Sequence, residues 1–212
     1  MAEIKIINKV SLSQNGLVIN GSKQLAHLRQ GELDGACAVY SMMMCLVIEK
    51  IIKRNVITDV PQNLRRNTSD GRLVNHFLEK QGMVVNGYEL NVLQGELQSA
   101  FKRKVKTKHY NIEDSNIIDK VVNSLEENHP VEIGFTYIGG KGHAVVVIGY
   151  QDSGDKTTFY CLDPGYPMNE CQMWNNALII DKSSTAMYSC INLREDRKVM
   201  IDEAMVFYKN KS

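Results

Sequence analysis

The sequence predicts an α+β fold with two lobes and one cleft between them. Up to about residue 128, apolar residues recur mostly at helical spacing. From residue 129 onward, short apolar segments are separated by turn residues, a pattern typical of adjacent antiparallel strands. Helices followed by strands are typical of α+β proteins. We therefore expect a single domain over residues 1–212, with a helical lobe over about residues 22–128 and an antiparallel β lobe over about residues 129–212.

The N-terminal half is expected to contain a hairpin, a buried helix and three amphipathic helices. Asn15 and Gly16 lie between apolar segments and predict a hairpin with a type I′ turn over residues 10–19. Residues 36–53 are apolar on nearly every face, which indicates a buried helix. The amphipathic helices are expected over residues 68–82, where Gly82 ends the helix, and over residues 93–101 and 115–128.

The C-terminal half is expected to form a mostly antiparallel sheet, because its apolar segments are short and closely spaced. The predicted strands cover residues 131–137, 143–150, 157–162, 177–181 and 204–208.

Composition narrows the possible partners. The chain has 212 residues, 43% of them hydrophobic, which is enough for one well-formed core. Its 25 basic and 24 acidic residues leave a net charge of +1, so neither nucleic acid nor membrane is an expected partner. The basic run at residues 102–108 is interpreted as a solvated strand or loop. Without a visible leader or an apolar run of about 18 residues, the chain is expected to be cytoplasmic as synthesised, with a non-Sec export route left open.

The cysteine and histidine patterns do not predict a disulfide framework, a metal site or a cofactor. Five cysteines are an odd number, and no C-x-x-C pair occurs among them. Apart from Cys37, they are expected to be small buried apolar residues: Cys45, Cys161, Cys171 and Cys190. Four histidines are scattered without metal-ligand spacing: His27, His76, His109 and His129.

Three residues have the chemistry of a thiol-based catalytic triad. Cys37 follows Gly35 and Ala36 at the first turn of the predicted buried helix, where the positive end of the helix dipole favours a thiolate. His143 follows a glycine-rich turn and begins an apolar strand, so it is expected to face the cleft as the general base. Asp163 ends a strand before a Pro-Gly turn and is expected to orient the imidazole.

Gln30 is the candidate oxyanion-hole residue. It lies seven positions before Cys37, and its side-chain N–H together with the backbone N–H of Cys37 would stabilise a tetrahedral intermediate. Gln24 is the alternative donor.

These motifs resemble those of the papain-like cysteine peptidases, especially the bacterial branch that includes the double-glycine leader peptidases. The resemblance covers about residues 30–166 and rests on Gln30 and Cys37, on residues 130–134 and 142–150, and on Leu162-Asp163-Pro164. It implies a papain-like fold with the active site between a helical and a β lobe. Ala38 stands where papain relatives usually have an aromatic residue, and Asp163 fits the bacterial branch better than their usual Asn.

The resemblance implies a cysteine protease acting on peptide or protein substrates, as a bacterial effector, toxin or processing peptidase. A peptidoglycan amidase, a glutamine deamidase or a transglutaminase would use the same triad for another acyl transfer. A third possibility is a non-catalytic module that binds peptides in the cleft, although such a module needs none of the three catalytic side chains. An inhibitor or activating protein is left open, and the sequence beyond Tyr166 has no assignable motif.

Overall fold

The protein is described here by a computed structural model, which covers residues 2–31, 36–58, 67–79, 89–114 and 116–210. Gly35 and Gly82, named above, lie outside these residues, as does residue 115. The strands are β1 Lys5–Ile6, β2 Val10–Ser13, β3 Gly16–Ile19, β4 Val105–Asn111, β5 Val131–Tyr137, β6 Gly142–Asp152, β7 Lys156–Leu162, β8 Asn176–Asp181, β9 Cys190–Asn192 and β10 Arg197–Lys209. The α-helices are α1 Cys37–Ile48, α2 Arg54–Thr58, α3 Ser69–Val74, α4 Leu90–Phe101 and α5 Ile117–Glu126, and a π-helical turn, Asn75–Glu79, extends α3.

The main sheet closes on itself as an antiparallel barrel. Its strands follow the order β6, β5, β10, β9, β8 and β7, and β7 pairs with β6 again. Two further strands extend it, because β1 pairs with β6 and β4 pairs with β10. A separate hairpin, β2 and β3, forms its own small sheet.

The expected two-lobed papain-like layout, with a helical N-terminal lobe and a β C-terminal lobe, is wrong. β1 and β4 come from the N-terminal half of the chain but belong to the same sheet as the C-terminal strands. The reason is that apolar periodicity identifies a strand without identifying its partner. β4 coincides with part of the basic run, and its seven-residue pairing with β10 is set by contacts about 100 positions away along the chain.

Helix α1 is the buried helix that the apolar pattern predicts. All of its residues except Cys37 and Tyr40 are buried, and it packs mainly against β6 and β5. It ends at Ile48 rather than at residue 53, and Lys50 takes a left-handed φ of 54° just beyond it. The packing of this helix against the barrel brings Cys37 close to β6 and β5.

Several local predictions agree with the structure and two do not. The hairpin forms, but in its turn Gly16 takes a positive φ of 104° while Asn15 does not, so the turn is not type I′. All five cysteines are free thiols, and Cys171 is exposed rather than buried. Among the described residues, no helix is both long enough and apolar enough to span a membrane.

Candidate active site

Cys37 is the first residue of α1 and is partly accessible. Ala36 precedes it as the N-cap residue and supplies no side-chain hydrogen bond, so the helix start is not shielded by a capping side chain. One turn further along, the hydroxyl of Ser41 donates to the backbone oxygen of Ala144 at 3.1 Å, which ties the helix to β6. The thiol is therefore held beside the strand that carries His143.

His143 lies between Cys37 and Asp163. Its Nε2–H donates to Asp163 Oδ1 at 2.8 Å, because a carboxylate only accepts, and Nδ1 is left for the sulfur. The thiol of Cys37 also interacts with the His143 ring, and the two residues line the same cleft. The ring packs edge-on against Phe135, with centroids 5.5 Å apart. Burial lowers the pKa of His143, but the bonds to Asp163 and Cys37 outweigh this effect and raise that pKa to about 10.

Asp163 directly follows β7 and is fully buried. Burial acts to raise its pKa, but the bond from His143 and further hydrogen bonds outweigh burial and lower the pKa below its usual value. The backbone N–H of Gly165 donates to Oδ1 at 2.9 Å, and Asn176 Nδ2 donates to Oδ2 at 2.8 Å. The carboxylate is thus ionised and fixed in direction, as an imidazole orienter requires.

Asn175 and His27 hold the backbone of Asp163. The backbone N–H of Asp163 donates to Asn175 Oδ1 at 2.7 Å, and Asn175 Nδ2 donates to the Asp163 carbonyl oxygen at 2.9 Å. His27 Nε2–H donates to the same oxygen at 2.8 Å, and burial lowers the pKa of His27, which favours its neutral form. Sequence reasoning missed the roles of these residues, and the local signal for them is the Asn-Asn pair at the start of β8.

Gln30 lies next to the turn that follows Asp163, because its backbone N–H donates to the carbonyl oxygen of Pro164 at 2.9 Å. Its role as an oxyanion donor stays a prediction. Gln24, the alternative donor, accepts a hydrogen bond from the backbone N–H of Arg54 at 2.6 Å and therefore serves the start of α2.

An open cleft of about 620 Å³ contains both Cys37 and His143. Its remaining wall comes mainly from the start of α4, from β5 and from β10, so the cleft crosses the three neighbouring strands β6, β5 and β10. Residues beyond Tyr166, which had no assignable motif, supply part of the wall through Asp202 and Glu203.

The family model of the Peptidase_C39 like family matches residues 17–189, which is most of the chain. The protein belongs to the peptidase C39-like family. This membership confirms the resemblance to C39-type papain-like cysteine peptidases and suggests that the C39-like chain is a cysteine peptidase. The matched region includes Gln30, Cys37, His143 and Asp163. No curated protein matches this C39-like chain in sequence.

Proposed function

We propose that this protein hydrolyses peptide bonds with Cys37 as nucleophile, His143 as general base and acid, and Asp163 as orienter. The observation that carries the proposal is the position of the His143 ring, which is hydrogen-bonded to a fully buried carboxylate and lies beside the thiol of Cys37 in the same cleft. Membership of the C39-like family supports the same reaction. On that family relationship alone, we propose a bacterial effector, toxin or processing peptidase as its biological setting.

The raised pKa of His143 favours an imidazolium next to a thiolate before substrate binds. In the first half-reaction, the thiolate attacks the carbonyl carbon and forms a tetrahedral oxyanion. The C–N bond then breaks, and the imidazolium gives its Nδ1 proton to the departing amine. The products of this step are a thioester on Cys37, a free amine and a neutral His143.

In the second half-reaction, neutral His143 takes a proton from water while the water oxygen attacks the thioester carbon. The C–S bond breaks, which releases the carboxylic acid and restores the thiolate–imidazolium pair. Asp163 stays ionised throughout and stabilises the imidazolium in both steps. Gln30 and the backbone N–H of Cys37 are the proposed donors to the oxyanion.

The first experiment measures the rate of iodoacetamide labelling at each cysteine of the native protein as a function of pH, with modified sites located by mass spectrometry. We expect Cys37 to react fast even below about pH 7 and to lose this reactivity in His143→Ala. Exposed Cys171 lies outside the cleft and serves as an internal reference. Labelling of Cys37 that follows the same pH curve as Cys171 would contradict the thiolate–imidazolium pair.

The second experiment measures turnover of a peptide library. Cys37→Ala and His143→Ala should each abolish cleavage, and the double variant should lose no more than either single variant, because the two residues act as a unit. Full activity of Cys37→Ala would exclude the proposed nucleophile. Transfer of a glutamine acyl group to an amine, with release of ammonia and without peptide cleavage, would instead favour transglutaminase chemistry. Hydrolysis of glutamine side chains to glutamate and ammonia would favour deamidase chemistry.

A further inference from the structure

The catalytic cleft leads from Cys37 and His143 to a group of acidic side chains. Glu89, Asp202 and Glu203 line this other part of the cleft, and no Lys or Arg occurs among its described lining residues. Carboxylates without a neighbouring Lys or Arg, in a concave site, create a local negative potential that attracts cations.

A β-bulge directs two of these carboxylates to the same cavity. Neighbouring residues of a regular strand point to opposite faces, but a register shift between Ile201 and Glu203 makes Asp202 an extra residue in β10. Thr136 Oγ1 donates to Asp202 Oδ2 at 2.5 Å, and His109 Nε2 lies 3.0 Å from Glu203 Oε2. Even a protonated His109 would balance only one of the three negative charges.

Gly134 lines the cleft between the nucleophile and the acidic residues, and it has no side chain to fill the space there. It pairs with Ala144 on one side and with Glu203 on the other. A Cβ at Gly134 would lie 3.5 Å from Asp202 Oδ1, so the missing side chain leaves that space to a ligand. Neighbouring strands are about 4.8 Å apart, and the acidic strand is therefore about 10 Å from the strand of His143. A long side chain of a bound peptide spans this distance.

Glu132 provides a separate observation in favour of a ligand. Strand alternation puts it on the same face of β5 as the cleft-lining residues Gly134 and Thr136. Its side chain is fully buried, and neither carboxyl oxygen has a hydrogen-bond partner among the described residues. It is close enough to interact electrostatically with both Cys37 and Glu203. Buried polar groups are nearly always hydrogen-bonded, so an unpartnered acid behind this cleft is a candidate acceptor for a substrate donor.

We propose that the acidic part of the cleft binds a cationic side chain of the substrate, lysine or arginine, close to the bond that Cys37 attacks. The substrate side chain extends over Gly134, and its ammonium or guanidinium group donates hydrogen bonds to Asp202 and Glu203. Ammonium and guanidinium groups both form charge-assisted hydrogen bonds with carboxylates. This inference rests on the proposed peptidase function for the identity of the substrate. The preference for cations depends only on the acidic side chains that line the cleft.

Charged thiol reagents test the cleft without requiring peptide hydrolysis. The thiolate of Cys37 attacks a methanethiosulfonate, forms a disulfide and releases methanesulfinate. Rates are compared for a trimethylammonium-ethyl and a sulfonato-ethyl reagent, with exposed Cys171 as the internal reference. We expect a higher cation-to-anion rate ratio at Cys37. Each of Asp202→Asn and Glu203→Gln should lower the rate of the cationic reagent about tenfold, the size expected for one charge about 10 Å away at an effective dielectric constant near 20. Each should also raise the rate of the anionic reagent, so that the ratio falls by more than the cationic rate does.

The exposed Glu113→Gln substitution is the matched control, since it also removes one carboxylate but lies outside the cleft lining. It should leave the rate ratio at wild-type size. Circular dichroism of each variant verifies that it is folded. Rate ratios at Cys37 that are unchanged in folded Asp202→Asn and folded Glu203→Gln would overturn the proposal.

Matched peptides then connect the cleft to specificity. Peptides with lysine or norleucine at each position near the scissile bond are compared by kcat/KM. At one position the kcat/KM for lysine should exceed that for norleucine by about tenfold or more, and Asp202→Asn should reduce this lysine-to-norleucine ratio. Cation-selective thiol labelling without cleavage of any peptide would support the cationic subsite and contradict the peptidase function. Cleavage with no preference for lysine would support the peptidase function and overturn the subsite.

Discussion

Replacement of Glu132 by glutamine is expected to stabilise the protein at neutral pH. Burial raises the pKa of the Glu132 carboxyl well above 4.5, with smaller contributions from the nearby charges of Cys37 and Glu203. Above the unfolded pKa, the folded protein therefore keeps a proton that the unfolded chain releases. Glutamine has nearly the same shape and is neutral in both states.

The size of the effect follows from proton linkage. Each pH unit above the unfolded pKa costs about 1.4 kcal/mol for as long as the group stays protonated in the folded state. Because the folded state binds the extra proton, the contribution of Glu132 to stability falls as the pH rises from 4.5 toward its folded pKa. The stability difference between Glu132→Gln and wild type should therefore increase with pH by about 1.4 kcal/mol per unit.

Guanidinium chloride unfolding at several values between about pH 5 and pH 7 measures this difference. The buried amide that the substitution introduces changes the free energy of unfolding by an amount that does not depend on pH. The slope of the stability difference against pH is therefore the decisive quantity. The exposed Glu113→Gln variant is the control for removal of one carboxyl, and the slope for Glu132→Gln is measured relative to it. A difference for Glu132→Gln that is constant, or that decreases with pH, would refute a protonated buried carboxyl.

Three further outcomes test the site and the barrel. Asp163→Asn removes one of the two groups, Asp163 and Cys37, that together raise the pKa of His143 from 6.5 to about 10, so the alkaline limb of the pH–kcat/KM profile should move to lower pH. Asn176→Ala removes one hydrogen bond that orients Asp163 and should lower kcat about tenfold with little change in KM, as steady-state kinetics on a cleaved peptide will measure. Gly149→Ala would push a Cβ into the backbone oxygen of Lys5 and should lower the free energy of unfolding, measured with a chemical denaturant, by about 1–3 kcal/mol. As the control, Gly95→Ala on α4 places a Cβ in open space and should raise the free energy of unfolding by about 0.5–1 kcal/mol.

Local sequence signals predicted several pieces of the fold. The apolar run after Cys37 predicted a buried helix, and α1 is that helix, although it ends five residues earlier than expected. Alternating and continuous apolar segments predicted β5, β6, β7 and β8 with boundaries close to those observed. Such signals work because each depends on residues only a few positions apart.

The architecture was predicted incorrectly because it depends on long-range contacts, which local sequence patterns do not reveal. Strand pairing depends on residues far apart in sequence, and β10 pairs with β4, β5 and β9 at different places along its 13 residues. The same difficulty hid Asp202, because a bulge is visible only in the pairing register.

The sequence by itself determined the chemistry available to this protein: a thiol at a helix start, an imidazole at a strand start and a carboxylate before a Pro-Gly turn, in a pattern that belongs to the C39-like family. Only the tertiary structure decided how this chemistry is arranged. The antiparallel pairing of β6 with β7 puts Asp163 within reach of His143, and the long-range pairing of β10 with β5 adds the acidic wall of the cleft. The physical reason is that residue identity defines which bonds a side chain forms, whereas long-range strand pairing and burial decide which partners it meets and how strongly their charges interact.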